Sequence, residues 1–175
     1  QISMVRTVHL GDRTEYWIGT SHSGVLRVTD AGSRFDGTAP AIGLGQVRSI
    51  TRLGDTVWVA GDSGVAHWVD GVWRRATAGL GSTTLRRLIR VAMPDGAPKL
   101  YASAADGVWQ WRAGRWDRLK VPVLADVTDL VQVIDPDGSP SLWVASEGGQ
   151  VWLVRGDSAV GTIPGTDPVG RARVV

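Results

Sequence analysis

The chain contains no cysteine. Disulfides, thiolate metal sites and thiol nucleophiles are therefore excluded, and a bacterial envelope protein fits this usage. Glutamate occurs only at Glu15 and Glu147, lysine only at Lys99 and Lys120, and phenylalanine only at Phe35. A hydrolase using paired carboxylates has few glutamates to draw on, and the aspartates fall mainly in turns. No run of about 18 apolar residues occurs, so no membrane-spanning helix is expected within these 175 residues. His9, His22 and His67 share no metal-ligand spacing. There is no Gly-x-Ser-x-Gly elbow and no Gly-x-x-x-x-Gly-Lys phosphate loop. No metal, no cofactor and no catalytic residue is expected in this segment.

Net charge is +2, and the basic residues are nearly all arginine. They are scattered, with local clusters only at Arg74-Arg75 and Arg86-Arg87-Leu88-Ile89-Arg90. That is too thin for a nucleic-acid footprint, so no nucleic-acid partner is expected. Hydrophobic content of 43% with 21% charged residues is that of a folded domain rather than a disordered chain.

Glycine (23) and tryptophan (9), by contrast, are plentiful. The stretch Asp55 to Arg75 shows how they are used. Val57 to Ala60, Val65 to Val69 and Val72-Trp73 are short β-branched and aromatic runs. Gly61-Asp62-Ser63-Gly64 and Asp70-Gly71 separate them, which predicts strands joined by tight hairpins. The pattern recurs. Trp17, Trp58, Tyr101 and Trp143 anchor equivalent runs at intervals of 41, 43 and 42 residues. Val5-Arg6-Thr7-Val8 has counterparts in Val47-Arg48-Ser49-Ile50, Leu85-Arg86-Arg87-Leu88 and Val127-Thr128-Asp129-Leu130. Each unit reads as four antiparallel strands, a to d. Four strands per repeat of roughly 40–45 residues predicts an all-β fold of β-propeller blades. Strands apolar at every position, such as Val57 to Ala60, suit a sheet covered on both faces. Val108 to Arg112 alternates and predicts a strand nearer the rim, and Phe35 is expected to anchor the outermost strand of the first unit.

The expected blades span 1–42, 43–80, 81–123 and 124–166, within one propeller segment, 1–175. Residues 167–175 stand where a fifth strand a would begin. The expectation is four blades of a larger ring. Neither end reads as a polar cap, so the end blades are expected to pack against the rest of the propeller or a second copy. Asp135-x-Asp137-Gly138 opens like a calcium loop, but later acidic ligands are missing and Pro136-Asp137-Gly138 reads as a turn.

Gly43-Leu44-Gly45-Gln46-Val47-Arg48-Ser49-Ile50, then Thr56-Val57-Trp58-Val59-Ala60, then Ser63-Gly64-Val65, resembles the two-component regulator propeller repeat. Trp17-Ile18-Gly19-Thr20 and Leu142-Trp143-Val144-Ala145 fit its middle part, and Tyr101-Ala102-Ser103-Ala104 is the weakest copy. The resemblance implies a periplasmic sensor module of a membrane-anchored histidine kinase or diguanylate cyclase. It also implies a seven-bladed ring, and the expected ligand is a small molecule or an oligosaccharide.

His22, Asp62, Asp106 and Glu147 occupy equivalent turns between strands b and c. Equivalent placement predicts that they ring one mouth of the propeller, with Arg48 and Arg86 beneath them. Their plain reading is as solvated turn residues; their functional reading is as a ligand-binding rim. A polysaccharide hydrolase or lyase is the competing reading, although no repeat is broken by a catalytic insertion. His67 sits within an apolar strand and is expected to be packed.

Overall fold

Asp70 and Gly71 both adopt positive φ, 51° and 80°, the backbone of a type I′ hairpin turn. Ala113 and Gly114 repeat that geometry one unit later, at 45° and 82°. These local turns reverse the chain, so successive runs pair with their sequence neighbours. The computed structural model describes residues 1–37, 42–93, 96–120, 126–155 and 158–162.

Four antiparallel four-stranded sheets result. The first holds β1 (Ile2–Leu10), β2 (Arg13–Thr20), β3 (Val25–Thr29) and β4 (Gly32–Gly37). The second holds β5 (Val47–Leu53), β6 (Thr56–Gly61), β7 (Gly64–Val69) and β8 (Val72–Arg75). The third holds β9 (Leu85–Val91), β10 (Lys99–Ala104), β11 (Gly107–Arg112) and β12 (Arg115–Arg118). The fourth holds β13 (Val127–Ile134), β14 (Pro140–Ser146), β15 (Val151–Arg155) and β16 (Ser158–Thr162). β1 lies beside β5, β5 beside β9, and β9 beside β13. The first strand of each sheet is therefore innermost, and the sheets stack as the blades of a propeller. The expected all-β, four-by-four architecture is the one observed.

Packing between sheets follows one recipe. Trp17 of β2 is fully buried, with its ring 6.2 Å from Trp68 and 6.0 Å from Trp73 of the next sheet. Trp58 of β6 meets Trp111 at 5.0 Å and Trp116 at 6.2 Å, again one sheet on. Trp68 pairs with Trp73, and Trp111 with Trp116, across their own β-ladders. An aromatic from strand b thus enters between two aromatics on strands c and d of the following blade. These edge-to-face contacts add to the area each ring buries. Tyr101 of β10 instead meets a smaller cluster containing Val154, Leu142 and Leu130.

β11 is the third strand out from the innermost, the position nearer the rim that its alternation predicts. Gln110 is buried at 2% exposure, so the alternation in β11 does not mark a wet face. Its Oε1 accepts from Arg112 Nε at 2.8 Å and Nη2 at 2.5 Å, which satisfies the amide oxygen without water. Trp17, Trp58, Tyr101 and Trp143 share one position in their strands, as expected, but Trp143 is only half-buried. The Phe35 side chain and residues 167–175 lie outside the described residues.

The two end sheets turn apolar side chains outward. On the first, Val5 is 57% and Tyr16 50% exposed; on the fourth, Val131 is 50% exposed. Among the described residues, no packing of β13 on β1 matches that between successive innermost strands.

Candidate functional site

The turns between strands b and c come together with the loops that enter strand a. Asp62 N–H donates to Gln46 O at 3.3 Å, and Ser63 N–H to Leu44 O at 3.1 Å. Further along the chain, Asp126 N–H donates to Ala105 O at 2.7 Å, and Glu147 N–H to Asp126 O at 3.0 Å. These bonds tie the turn to the entry loop within the second blade, and link the turns of the third and fourth blades through the loop that enters β13.

Glycine allows this approach. A Cβ on Gly45 would stand 3.3 Å from Asp62 Cβ, and one on Gly81 would stand 2.7 Å from Asp106 Oδ2. The second glycine of each Gly-Leu-Gly therefore makes room for the aspartate of the neighbouring turn.

The structure separates the six rim residues. Arg48 and Asp62 form an ion pair with each other, both a little over one-third exposed. Asp106 accepts from Trp109 Nε1 at 3.1 Å. Arg86 pairs at 3.5 Å with Asp126, a residue that sequence reasoning did not single out. Only the arrival of the loop before β13 brings that carboxylate into reach. His22 and Glu147 are exposed. Rim charge is thus partly consumed by the rim's own architecture, and His22 and Glu147 are the side chains left facing outward.

A larger concavity of about 530 Å³ lies at the outer part of the first blade, lined by Arg13, Glu15, Arg27 and Asp30 among others. Glu15 is 1% exposed. It accepts from Trp17 Nε1 at 3.0 Å and from Arg27 Nε and Nη2 at 2.8 and 2.5 Å. Burial pushes its carboxyl up, but the bonds and charge of Arg27, the Trp17 donor and the charge of Arg13 together hold it below the usual range. Such a carboxylate orients the central tryptophan of its blade. It is ill suited to accept a proton in catalysis, which needs a value near the working pH.

His67 is half-buried on β7, with its ring 4.6 Å from Trp58. Burial and then the nearby Arg74 charge lower its pKa, so it is neutral. In the calcium-like turn, Asp137 Oδ1 accepts from the Ser139 hydroxyl at 2.6 Å and its N–H at 2.9 Å. Asp135 accepts from Ser141 and pairs with Arg155 at 2.6 Å. Both aspartates thus serve the turn. Among the described residues, no group of three or more metal-ligating side chains gathers.

No protein-family model matches the chain, and no curated protein matches it by sequence. Solved structures do. Two are the extracellular domain of BT4673 from B. thetaiotaomicron, described in one case as a one component system and in the other as a hybrid two component system. The first superposes with a TM-score of 0.58 at 15% identity over 90% of this chain, and the second with 0.63 at 18% over 87%. The chain spans 26% and 20% of those longer chains. At these identities the shared property is the fold: this chain is built like part of those extracellular domains.

Proposed function

We propose that this chain is a ligand-recognition segment of a β-propeller in a bacterial, membrane-anchored signalling protein, placed outside the cytoplasm. The observation that carries this reading is the superposition on the extracellular domain of a one- or two-component system over nearly the whole chain. Repeat phrases resembling the two-component regulator propeller support the finer assignment, with a histidine kinase or diguanylate cyclase as output. The outward rim residues His22 and Glu147, with Asp62, Asp106, Arg48 and Arg86 behind them, are the proposed contact surface for a small molecule or oligosaccharide. Loops on a rigid scaffold commonly carry recognition.

Trp143 supports a ring of more than four blades. It sits three residues from the end of its strand, as do Trp17, Trp58 and Tyr101. Each of those three is covered by the next sheet. Trp143 instead lines an apolar surface with Leu130, Val131, Ala145 and Val151. A following blade of the same natural chain is its proposed cover.

Two measurements test the reading. An alkaline phosphatase fusion after this segment in the natural protein is expected to be active, because that enzyme matures outside the cytoplasm. Activity confined to cytoplasmic reporters overturns the placement. Release of reducing sugar from plant or bacterial polysaccharide would instead identify a hydrolase.

A further inference from the structure

The inner wall of the first three blades carries a second feature, distinct from the rim. A groove of about 330 Å³ runs across β1, β5 and β9. Arg6, Arg52, Arg87 and Arg90 line it together with His9. Four arginines thus contribute to one concavity whose lining holds no carboxylate.

Their existing commitments are few. Arg52 spans two blades, donating to His9 O and pairing with Asp55 at 3.0 Å. Arg87 is 3.4 Å from Asp129, a half-exposed carboxylate outside the groove lining. Among the described residues, the side chains of Arg6 and Arg90 have neither a hydrogen bond nor an ion pair. Both side chains line the groove from separate blades. Gathered like charges repel, and a planar guanidinium presents paired donors that match an oxyanion. Bringing an anion into the groove relieves the first and satisfies the second.

We infer that this groove binds a small molecule carrying two or more oxyanion groups, with Arg6 and Arg90 as the principal contacts and Arg52 and Arg87 as the fixed wall. Size bounds the ligand, since about 330 Å³ is near the lower end of small-molecule sites. No Trp, Tyr or Phe lines the groove, so there is no platform for stacking nucleobases. The shared chemistry is a polycarboxylate, free or carried on a short acidic saccharide. The inference deepens the ligand-recognition reading and rests on it only for a signalling consequence. Binding is measured on the protein alone, so its failure leaves the location test above intact.

Titration calorimetry on the full natural chain with citrate, digalacturonate and neutral cellobiose separates the cases. Binding of citrate alone identifies a compact polycarboxylate ligand, and binding of digalacturonate identifies an acidic saccharide. Either is expected to weaken as salt rises. The double variant Arg6→Gln/Arg90→Gln is expected to weaken binding at least about tenfold, since one charge-assisted hydrogen bond is by itself worth about that factor. Arg74→Gln, on the exposed outer strand β8, is expected to leave it unchanged. In the unaltered protein, Arg6 and Arg90 are expected to lose reactivity toward phenylglyoxal when the acidic ligand is present, a readout independent of variant folding. The inference is overturned if neither anion binds, if cellobiose binds equally, if Arg74→Gln costs as much as the double variant, or if the footprint spares both arginines.

Discussion

Ser49 and Leu88 are bonded both ways across the boundary between the second and third sheets. Leu88 N–H donates to Ser49 Oγ at 2.9 Å, and Ser49 Oγ donates to Leu88 O at 3.3 Å. Both residues are buried. An innermost strand has one edge facing its neighbouring blade, and a hydroxyl is the smallest side chain that both donates and accepts there.

Ser49→Ala removes the hydroxyl and leaves both Leu88 backbone groups without that partner. The expected loss is about 1–3 kcal/mol of unfolding free energy, measured by urea denaturation. Ser49→Thr, which keeps the hydroxyl, is the comparison. Equal loss in both variants would show that volume, not the bonds, matters here.

Trp58→Ala is expected to cost about 3–5 kcal/mol, because it removes a nearly fully buried ring packed between Trp111 and Trp116. Trp143→Ala distinguishes the surroundings of the fourth blade. In the full natural chain a following blade would cover Trp143, and the cost should approach that of Trp58→Ala. A loss below about 1 kcal/mol would place Trp143 in solvent and remove the argument for that blade.

Gly79 has φ of +88°, and a Cβ there would stand 2.2 Å from the carbonyl oxygen of Trp116. Trp116 N–H donates to Ala78 O at 2.8 Å and its Nε1 to Ala76 O at 2.7 Å, so the two segments cannot move apart freely. Gly79→Ala is expected to cost at least about 2 kcal/mol, combining left-handed backbone strain with the clash. Gly54, at +60° with open space around it, should tolerate Asn with little change in thermal midpoint.

Ala113 occupies the left-handed region at φ 45°, where Asn and Asp are less strained. Ala113→Asn is expected to raise stability by about 0.5–1 kcal/mol. No gain, or a loss, would show that the Ala113 side chain contributes more than its backbone costs.

Acid should destabilise the protein in two windows. His67 has a lowered folded pKa, so the unfolded chain binds the proton first and stability falls as pH drops below about 6.5. Glu15 also has a lowered folded pKa; its contribution is complete above the usual glutamate value and is lost as pH falls through the folded one. Urea midpoints measured from pH 7 to pH 3 should show both slopes. His67→Phe should remove the first and Glu15→Gln the second. A slope that survives its variant would assign that window to another group.

The blade repeat, its strands and its hairpins were legible from the sequence alone because they rest on short-range chemistry. Asp70-Gly71 can reach positive φ at both positions, and apolar runs of strand length on either side then pair. The recurrence of Trp17, Trp58, Tyr101 and Trp143 likewise marked one register position four times over. What only the tertiary structure decided is how sheets about forty residues apart meet. Gln110 and Glu15 look like surface residues in their strands, yet stacking of the neighbouring sheet buries both, with Arg112, Trp17 and Arg27 from their own sheets as partners. The rim arginine Arg86 finds Asp126 only because the loop before the fourth blade arrives beside it. Arg6, Arg52, Arg87 and Arg90 are merely scattered positions along the chain, and become one groove only when three innermost strands stand side by side. Strand pairing is decided by neighbours along the chain, whereas the electrostatic surroundings of a side chain depend on every sheet that packs against it.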